Sequence, residues 1–411
     1  MNLFLMSLKN IFRHKRRAII TVSAICFGVM VILFFGGFIT ALKDAMIDYL
    51  IRSQTGNLQI HYQGYVESSK LSPYEYLIGD YEQIKKEIQN IPEVQSFSSR
   101  MKFGGLISNG PNSAPFMGFG IEPEAELNVS ANKIKEDMII QGEYFGPNDE
   151  KSILIGEGLA KGLKAKPGDQ LTIVVNTKYD SVNAENVTVK GIVRIGQAEI
   201  DNTLIYADMG MVQNLLQLDG EVTEVVILLK QITHTHPVHE RLQQIIREQQ
   251  LPLEVHTWEQ LGSTFVGVLD VFGRAFAIIS IILFIVITLG IMNTMIMSVF
   301  ERVREIGMMM SMGMNMWDII FVFTTEAFLM GVIGAISGLV IGSILLTIVG
   351  SVGIVINPPG FSGKMPLIRP GIQTFYALFG FGFAMVVSIV SSLYPSFSAG
   401  RMKPVEAIRF S

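Results

Sequence analysis

The distribution of charged residues restricts the fold of this 411-residue chain more than any other feature. Three long runs hold no Asp, Glu, Lys or Arg, and a fourth run holds only Glu326. About 20 apolar residues are enough to cross a bilayer as a helix. Each run reaches that length, so the sequence predicts four transmembrane helices, at 18–42, 275–300, about 317–350 and 371–395.

The segment 43–270 differs in composition from these runs, because it is polar and mixed in charge. It is long enough for one or two domains with their own cores. Stretches such as "GNLQIHYQGY" and "EVTEVVILLK" predict strands, whereas "YEQIKKEIQNIPEV" and "HPVHERLQQIIREQQL" predict helices. The sequence therefore predicts a membrane protein of four transmembrane α-helices, with a large α+β extracytoplasmic domain inserted between helices 1 and 2.

Lys and Arg in the short segments predict the orientation, because these residues favour the cytoplasmic side. Ten of them lie in the N-terminus 1–17, the connector 301–316 and the tail 396–411, against two in the loop 351–370. Both termini and the connector are therefore expected in the cytoplasm, and 43–270 and 351–370 outside it. The basic "KNIFRHKRRAII" precedes an apolar run too long for a signal peptide, so we expect an uncleaved anchor.

The sequence contains no pattern typical of a catalytic or metal site. His234, His236 and His239 do not have the spacing of a helical zinc motif, and we interpret them as part of a polar loop that caps the next helix. "GEGLAKG" and "GFSGKM" lack the GK[ST] of a phosphate-binding loop. The net charge of −4, without a basic stripe, argues against nucleic acid. The single cysteine, Cys26, has no partner for a disulfide.

The connector 301–316 combines a charged segment with six methionines, in "ERVREIGMMMSMGM" and the following residues. Glu301 with Arg304, and Arg302 with Glu305, have the i, i+3 spacing that supports a short exposed helix. Gly307 and Gly313 are predicted turn or stop positions. Methionines fill irregular grooves on a partner, but they also pack on neighbouring helices. The residues alone leave open whether the connector binds a soluble partner or is a plain loop.

Two further features lie within the third predicted helix. Gly334, Gly338 and Gly342 share one helical face, and such small residues let membrane helices approach closely. They predict helix packing, either between two subunits or within one. Glu326 is an intramembrane acid near the cytoplasmic interface, where it can pair with Arg302 or Arg304 or reach water. We interpret it as a structural anchor, and the alternative is a role in passing movement between the connector and the helices.

Several segments resemble one family in the same order along the whole chain. "ERVREIGMMMSMGM", "TTEAFLMGVIGAISGLVIG" and "YPSFSAGRMKPVEAIR" are similar to motifs of the MacB/FtsX-type permeases of ABC transporters. "LKNIFRHKRRAIIT" resembles the basic start of their first helix, and "ILIGEGLAKGLKAKPGDQL" resembles part of their external domain. The layout without an ATPase domain is similar to the split LolC/LolE-type permeases.

The resemblance implies a non-catalytic permease subunit in the bacterial cytoplasmic (inner) membrane. A cytosolic ABC ATPase subunit, which binds ATP and magnesium, would drive movement of the external domain, and this chain would hold no cofactor. The partners implied are that ATPase, a second permease subunit as homo- or heterodimer, the lipid bilayer and an external accessory or carrier protein.

The implied cargo is a lipoprotein or another amphipathic substrate. The alternative is an FtsX-like transmitter that activates an external cell-wall hydrolase. The residues implied in ATPase docking are Glu301, Arg302, Arg304, Glu305 and Gly307, and reversal of Arg302 and Arg304 to Glu is predicted to release the ATPase.

Overall fold

The computed structural model describes residues 13, 15–68, 74–79, 81–130, 137–146, 149–355 and 367–402. Most of the predicted N-terminus 1–17, the middle of the loop 351–370 with "GFSGKM", and the tail beyond 402 lie outside these residues. Contacts divide the chain into two compact units. The sheet domain is Ala45–Val266, and the membrane unit comprises the described residues of 13–44, 267–354 and 367–402. The sheet domain corresponds to the segment predicted at 43–270.

Helices and strands make up most of the described residues. The helices are α1 (Lys15–Leu50), α2 (Tyr65–Ser68), α3 (Tyr81–Gln89), α4 (Pro123–Val129), α5 (Glu157–Leu163), α6 (Ala198–Asp201), α7 (Met209–Leu216), α8 (Thr235–Glu248), α9 (Trp258–Leu261), α10 (Ser263–Glu301), α11 (Val303–Ser311), α12 (Met316–Val352) and α13 (Thr374–Gly400). The strands are β1 (Leu58–Tyr62), β2 (Val94–Ser108), β3 (Ser113–Ile121), β4 (Ile139–Gly142), β5 (Ser152–Gly156), β6 (Gln170–Asn176), β7 (Val182–Val193), β8 (Leu204–Asp208), β9 (Glu224–Leu229) and β10 (Leu253–Thr257).

Within the described residues, four helices are long and apolar enough to cross a membrane: α1, α10, α12 and α13. Each contains most of one predicted span, which confirms the four-helix prediction. α1 and α10 extend well beyond the apolar runs, because the polar residues that flank those runs are also compatible with helix. α13 continues past Pro395 to Gly400, five residues beyond the predicted end.

The core of the membrane unit joins all four long helices. Its fully buried side chains include Val29 of α1, Met295 of α10, Phe323 of α12 and Val387 of α13. Ile306 of the short helix α11 belongs to the same cluster. The connector is thus packed into the membrane unit on one side.

In the sheet domain, the ten strands of the described residues form one mixed sheet in the order β10-β1-β9-β2-β3-β8-β5-β7-β4, with β6 paired to β2 and β7. β3 with β8 and β5 with β7 are parallel pairs, and the other pairs are antiparallel. The short helices lie between strands rather than in a repeated βαβ pattern. This arrangement confirms the α+β prediction.

The residues of 166–169 predict a turn, because Pro167 presets φ, Gly168 can take φ > 0 and Asp169 can bond back to the backbone. Gly168 has φ +95°, which a residue without a Cβ adopts readily. The Asp169 carboxylate accepts a hydrogen bond of 2.8 Å from the backbone N–H of Lys166. The turn connects α5 to β6, as the stretch "KSILIGEGLAKGLKAKPGDQLTIVV" predicts.

Candidate functional site

The connector folds into one short helix with defined ends. α10 ends at Glu301, because Arg302 leaves the helical conformation with φ −114° and ψ 14°. α11 then runs from Val303 to Ser311, and Gly313 with φ +97° turns the chain. Asn315 caps α12, and its backbone N–H donates to the Asp318 carboxylate at 2.9 Å. The predicted short helix and the stop at Gly313 are confirmed.

α11 has two different faces. The buried face consists of Val303, Ile306, Gly307 and Met309. The exposed side of the connector, here named the docking face after the prediction above, consists of Arg304 and Met308 of α11 and the flanking residues Glu301 and Met312. Met308 is 53% and Met312 is 76% exposed, whereas Met309 is 6% exposed. Some methionines of the connector therefore pack on the membrane unit, while others are open to a partner.

A cluster of charged side chains, here named the charge cluster, lies directly behind the buried face. Its members are Arg13, Arg17, Arg302, Glu305 and Glu326. Glu326 is only 1% exposed and accepts hydrogen bonds from both Arg17 and Arg302, the second at 3.2 Å. Removal of a charge from water costs several kcal/mol unless partners compensate it. Two arginines on one carboxylate supply that compensation here.

The charge cluster extends from this centre towards the surface. Arg302 donates through Nε to Glu305 at 3.1 Å, and Arg13 contacts the other oxygen of Glu305 at 3.2 Å. Arg17 also donates to the hydroxyl of Ser298 on α10. The guanidinium of Arg302 lies over the ring of Phe323, 5.4 Å from its centroid. The cluster therefore ties α1, α10, α11 and α12 together.

The structure confirms one part of the prediction for Glu326 and corrects another. Pairing with Arg302 is present. The alternative that Glu326 reaches water is wrong, because the side chain is fully buried. Arg17 was not predicted as a partner. Its position at the end of the basic segment, on the same predicted side of the membrane as Glu326, was the one signal that could have found it.

The five residues implied in ATPase docking occupy different environments. Glu301 and Arg304 are exposed, and Glu305 is half-buried. Arg302 and Gly307 are buried, so these two do not form part of an exposed docking face. The prediction that Gly307 is a turn or stop position is wrong, since it lies inside α11.

Gly334, Gly338 and Gly342 lie against α1 of the same subunit. A Cβ atom on Gly338 would be 2.6 Å from the carbonyl oxygen of Cys26, and one on Gly334 would be 2.7 Å from the Cβ of Ile25. These glycines therefore permit backbone contact between α12 and α1. Because α1 occupies this face, the alternative of a contact between subunits here does not fit the structure.

His236 and His239 contact different protein groups. The Nε2 of His239 lies 3.1 Å from the carbonyl oxygen of Val255, and His236 faces Glu259 at 3.7 Å. His236 and His239 belong to α8 itself rather than to a polar loop before it. Among the described residues, no group of three or more His, Cys, Asp or Glu side chains forms a metal site.

Comparison with known proteins covers both units of the chain. Residues 18–245 match the MacB-like periplasmic core domain family, and residues 277–404 match the FtsX-like permease C-terminal family. The chain is 26% identical over 337 residues to an uncharacterised ABC transporter permease of Methanocaldococcus jannaschii, which covers 79% of each protein.

The names of two further relatives state a transport system. The chain is 27% identical over 329 residues to the lipoprotein-releasing system transmembrane protein LolC of Xylella fastidiosa, with 73% of this chain and 74% of LolC covered. It is 23% identical over 419 residues to the macrolide export ATP-binding/permease protein MacB of Campylobacter fetus, with 98% of this chain and 60% of MacB covered. The four membrane helices, the inserted sheet domain and these matches show that the chain belongs to the MacB/FtsX-type permease family and is an inner-membrane permease component of an ABC transporter.

Proposed function

We propose that this permease couples ATP hydrolysis by a separate cytosolic ATPase to movement of its extracytoplasmic sheet domain. In this arrangement both termini and α11 face the cytoplasm, as the excess of Lys and Arg in those segments favours. ATP and magnesium bind to the ATPase partner. A second permease subunit, identical or related, completes the membrane assembly.

One observation carries this proposal: one face of α11 is exposed, and its other face is packed into the membrane unit. Arg302, directly before α11, is 3% exposed and bound to both Glu305 and Glu326. A loop held only by its ends would absorb a displacement. Because α11 is fixed by buried ion pairs and by Ile306, a displacement of this helix is passed on to α1, α10 and α12.

The proposed cargo is a lipoprotein or another amphipathic molecule taken from the outer leaflet of the membrane. This class follows from the relatives, of which one belongs to a lipoprotein-releasing system and another exports macrolides. We expect a lipidated peptide to stimulate ATP turnover by the complex in proteoliposomes. A stable complex with an external cell-wall hydrolase, without such stimulation, would instead favour a signalling function.

The docking proposal is tested by native purification of the full chain with its bound ATPase. The Arg304→Glu, Met312→Glu double variant changes two exposed positions of the docking face and is expected to lose the ATPase while it remains in the membrane. Arg302 is left unchanged, since its reversal would break the charge cluster and destabilise the fold. The matched control is Arg247→Glu, Met117→Glu, two exposed positions of the sheet domain.

Two results would contradict the proposal at different levels. If the docking-face variant keeps a full complement of ATPase, α11 is not the docking helix. If the unaltered chain brings along no ATPase from native membranes, the coupling itself is contradicted.

A further inference from the structure

The end of α1 continues into an unusual segment of the sheet domain. Ile51–Thr55 forms a π-helix, a rare conformation that is frequently found at functional sites. The backbone N–H of Gly56 closes it with a 2.8 Å hydrogen bond to the carbonyl oxygen of Ile51. Because the helix ends here, its last carbonyl groups have no partner within the helix and are available to side chains from other elements.

Arg100 of β2 uses one of these carbonyl groups. Its Nη1 donates to the backbone oxygen of Gln54 at 2.7 Å. Its Nε and Nη2 donate to the two carboxylate oxygens of Glu126 at 3.0 and 2.6 Å. Glu224 of β9 lies 3.5 Å away on the Nη1 side. One guanidinium thus joins the π-helix to β2, α4 and β9.

The side chains of Arg100, Glu126 and Glu224 are buried, and the pKa values of Arg100 and Glu224 favour their charged forms. Arg100 is 6% and Glu126 is 1% exposed. Burial by itself lowers the pKa of Arg100, but the charges of Glu126 and Glu224 raise that pKa above its ordinary value overall. The pKa of Glu224 is lowered despite its burial, because His61 and Arg100 stabilise its charged form. These ion pairs therefore persist at neutral pH.

A small hydrophobic cluster packs against the end of α1 and the start of the π-helix. Leu50 and Ile51 pack with Val226 and Trp258. A Cβ atom on Gly262, immediately before α10, would lie 2.4 Å from the Cδ2 of Leu50. The end of α1 and the start of α10 therefore meet within the sheet domain, next to the π-helix whose Gln54 accepts a hydrogen bond from Arg100.

We propose that Arg100 is a positioning residue that fastens the end of α1 to the sheet, so that a displacement of α1 moves the sheet as one body. This inference rests on the proposed coupling function. The guanidinium is suited to the role because its planar, forked donors bind a carboxylate and a carbonyl at once in fixed directions. A lysine at this position retains the charge but not the fork.

The test is hydrogen–deuterium exchange of the full chain with its co-purified ATPase in lipid nanodiscs, with and without ATP and vanadate. In the unaltered protein, trapping of the ATPase with ATP and vanadate is expected to change the rate of deuterium exchange both in Ile51–Thr55 and in β2. Arg100→Met and Arg100→Lys are expected to retain the ATPase and its turnover but to lose the change in β2. Arg194→Met, which breaks an Arg–Glu pair elsewhere in the sheet domain, serves as the matched control and is expected to keep it.

Each outcome has one interpretation. If the unaltered protein shows no nucleotide-dependent change, the proposed function fails. If it does and the Arg100→Lys variant keeps the change in β2, the positioning role of Arg100 is overturned while the function stands. If Arg100→Met does not assemble, Arg100→Lys alone decides, and if neither assembles, Arg100 is required for folding and the proposal is also overturned.

Discussion

Arg17 and Glu326, 309 positions apart in the sequence, form a buried ion pair between α1 and α12. Arg17 belongs to the basic segment from which the membrane orientation is predicted, and its guanidinium compensates the charge of the acid inside the membrane unit. Because Arg302 binds the same carboxylate, the pair connects the start of the first helix to the connector. This relationship gives α11 its fixed position.

Removal of the Glu326 charge is expected to destabilise the membrane unit more than removal of either arginine charge. Glu326→Gln leaves Arg17 and Arg302 without their shared carboxylate, and loss of one partner of a buried pair typically costs about 3–5 kcal/mol. In either Arg17→Gln or Arg302→Gln, Glu326 keeps one arginine partner, so a smaller loss of stability is expected. The measurement is thermal unfolding in detergent, with Glu301→Gln as the exposed control. Equal losses for all three variants would contradict a shared carboxylate.

A side chain at Gly338 is expected to force α12 away from α1. In Gly338→Ala the new Cβ would meet the carbonyl oxygen of Cys26 at 2.6 Å, and overpacking of this kind costs about 1–3 kcal/mol. Gly382→Ala on α13 is the control, since no atom lies within 4 Å of its Cβ position. A Gly338→Ala protein with an unchanged melting temperature would contradict the close contact of α1 and α12.

Truncation of two methionines of the connector is expected to affect the stability of the protein differently. Met309→Ala removes a side chain that is 6% exposed, which costs about 2–5 kcal/mol for a core methionine. Met312→Ala changes a side chain that is 76% exposed and is expected to leave the unfolding temperature unchanged. Stability is measured without the ATPase. A greater loss for Met312→Ala would reverse the assignment of the two faces.

The ion pair of Glu157 and Arg194 predicts a pH dependence of the sheet domain. Arg194 donates to both oxygens of Glu157, at 2.6 and 2.8 Å. The hydrogen bonds from Arg194, followed by those from Lys161, lower the pKa of Glu157 from 4.5 to about 2. A lowered pKa in the folded state stabilises the protein above pH 4.5, and this contribution is lost as the pH falls towards about 2.

Glu157→Gln is therefore expected to lower the stability by about 1 kcal/mol at neutral pH, a value limited by partial exposure of the pair. The difference from the unaltered protein should shrink as the pH falls below 4.5. Urea unfolding of the full chain in detergent at several pH values measures this difference. A difference that does not change with pH would assign the effect to packing instead of charge.

The local pattern was sufficient for most secondary-structure elements. The helix of "YEQIKKEIQNIPEV" appears as α3, and the strands and turn of 151–175 appear as β5, α5 and β6. The helical bounds were harder to predict, because α1 and α10 continue beyond their apolar runs into the sheet domain. Hydrophobicity marks where a helix can lie in lipid, but it does not mark where the helix ends.

The sequence by itself determined the four apolar spans, the polar domain inserted after the first of them and the short helix between the second and third. Charge and hydrophobicity are properties of residue type, so their order along the chain is enough for these conclusions. Only the tertiary structure decided that Arg17 meets Glu326, that Arg302 and Gly307 are buried, and that Arg100 binds the carbonyl of Gln54. The physical reason is that such contacts join residues on separate elements, and their partners are set by how helices and strands pack together.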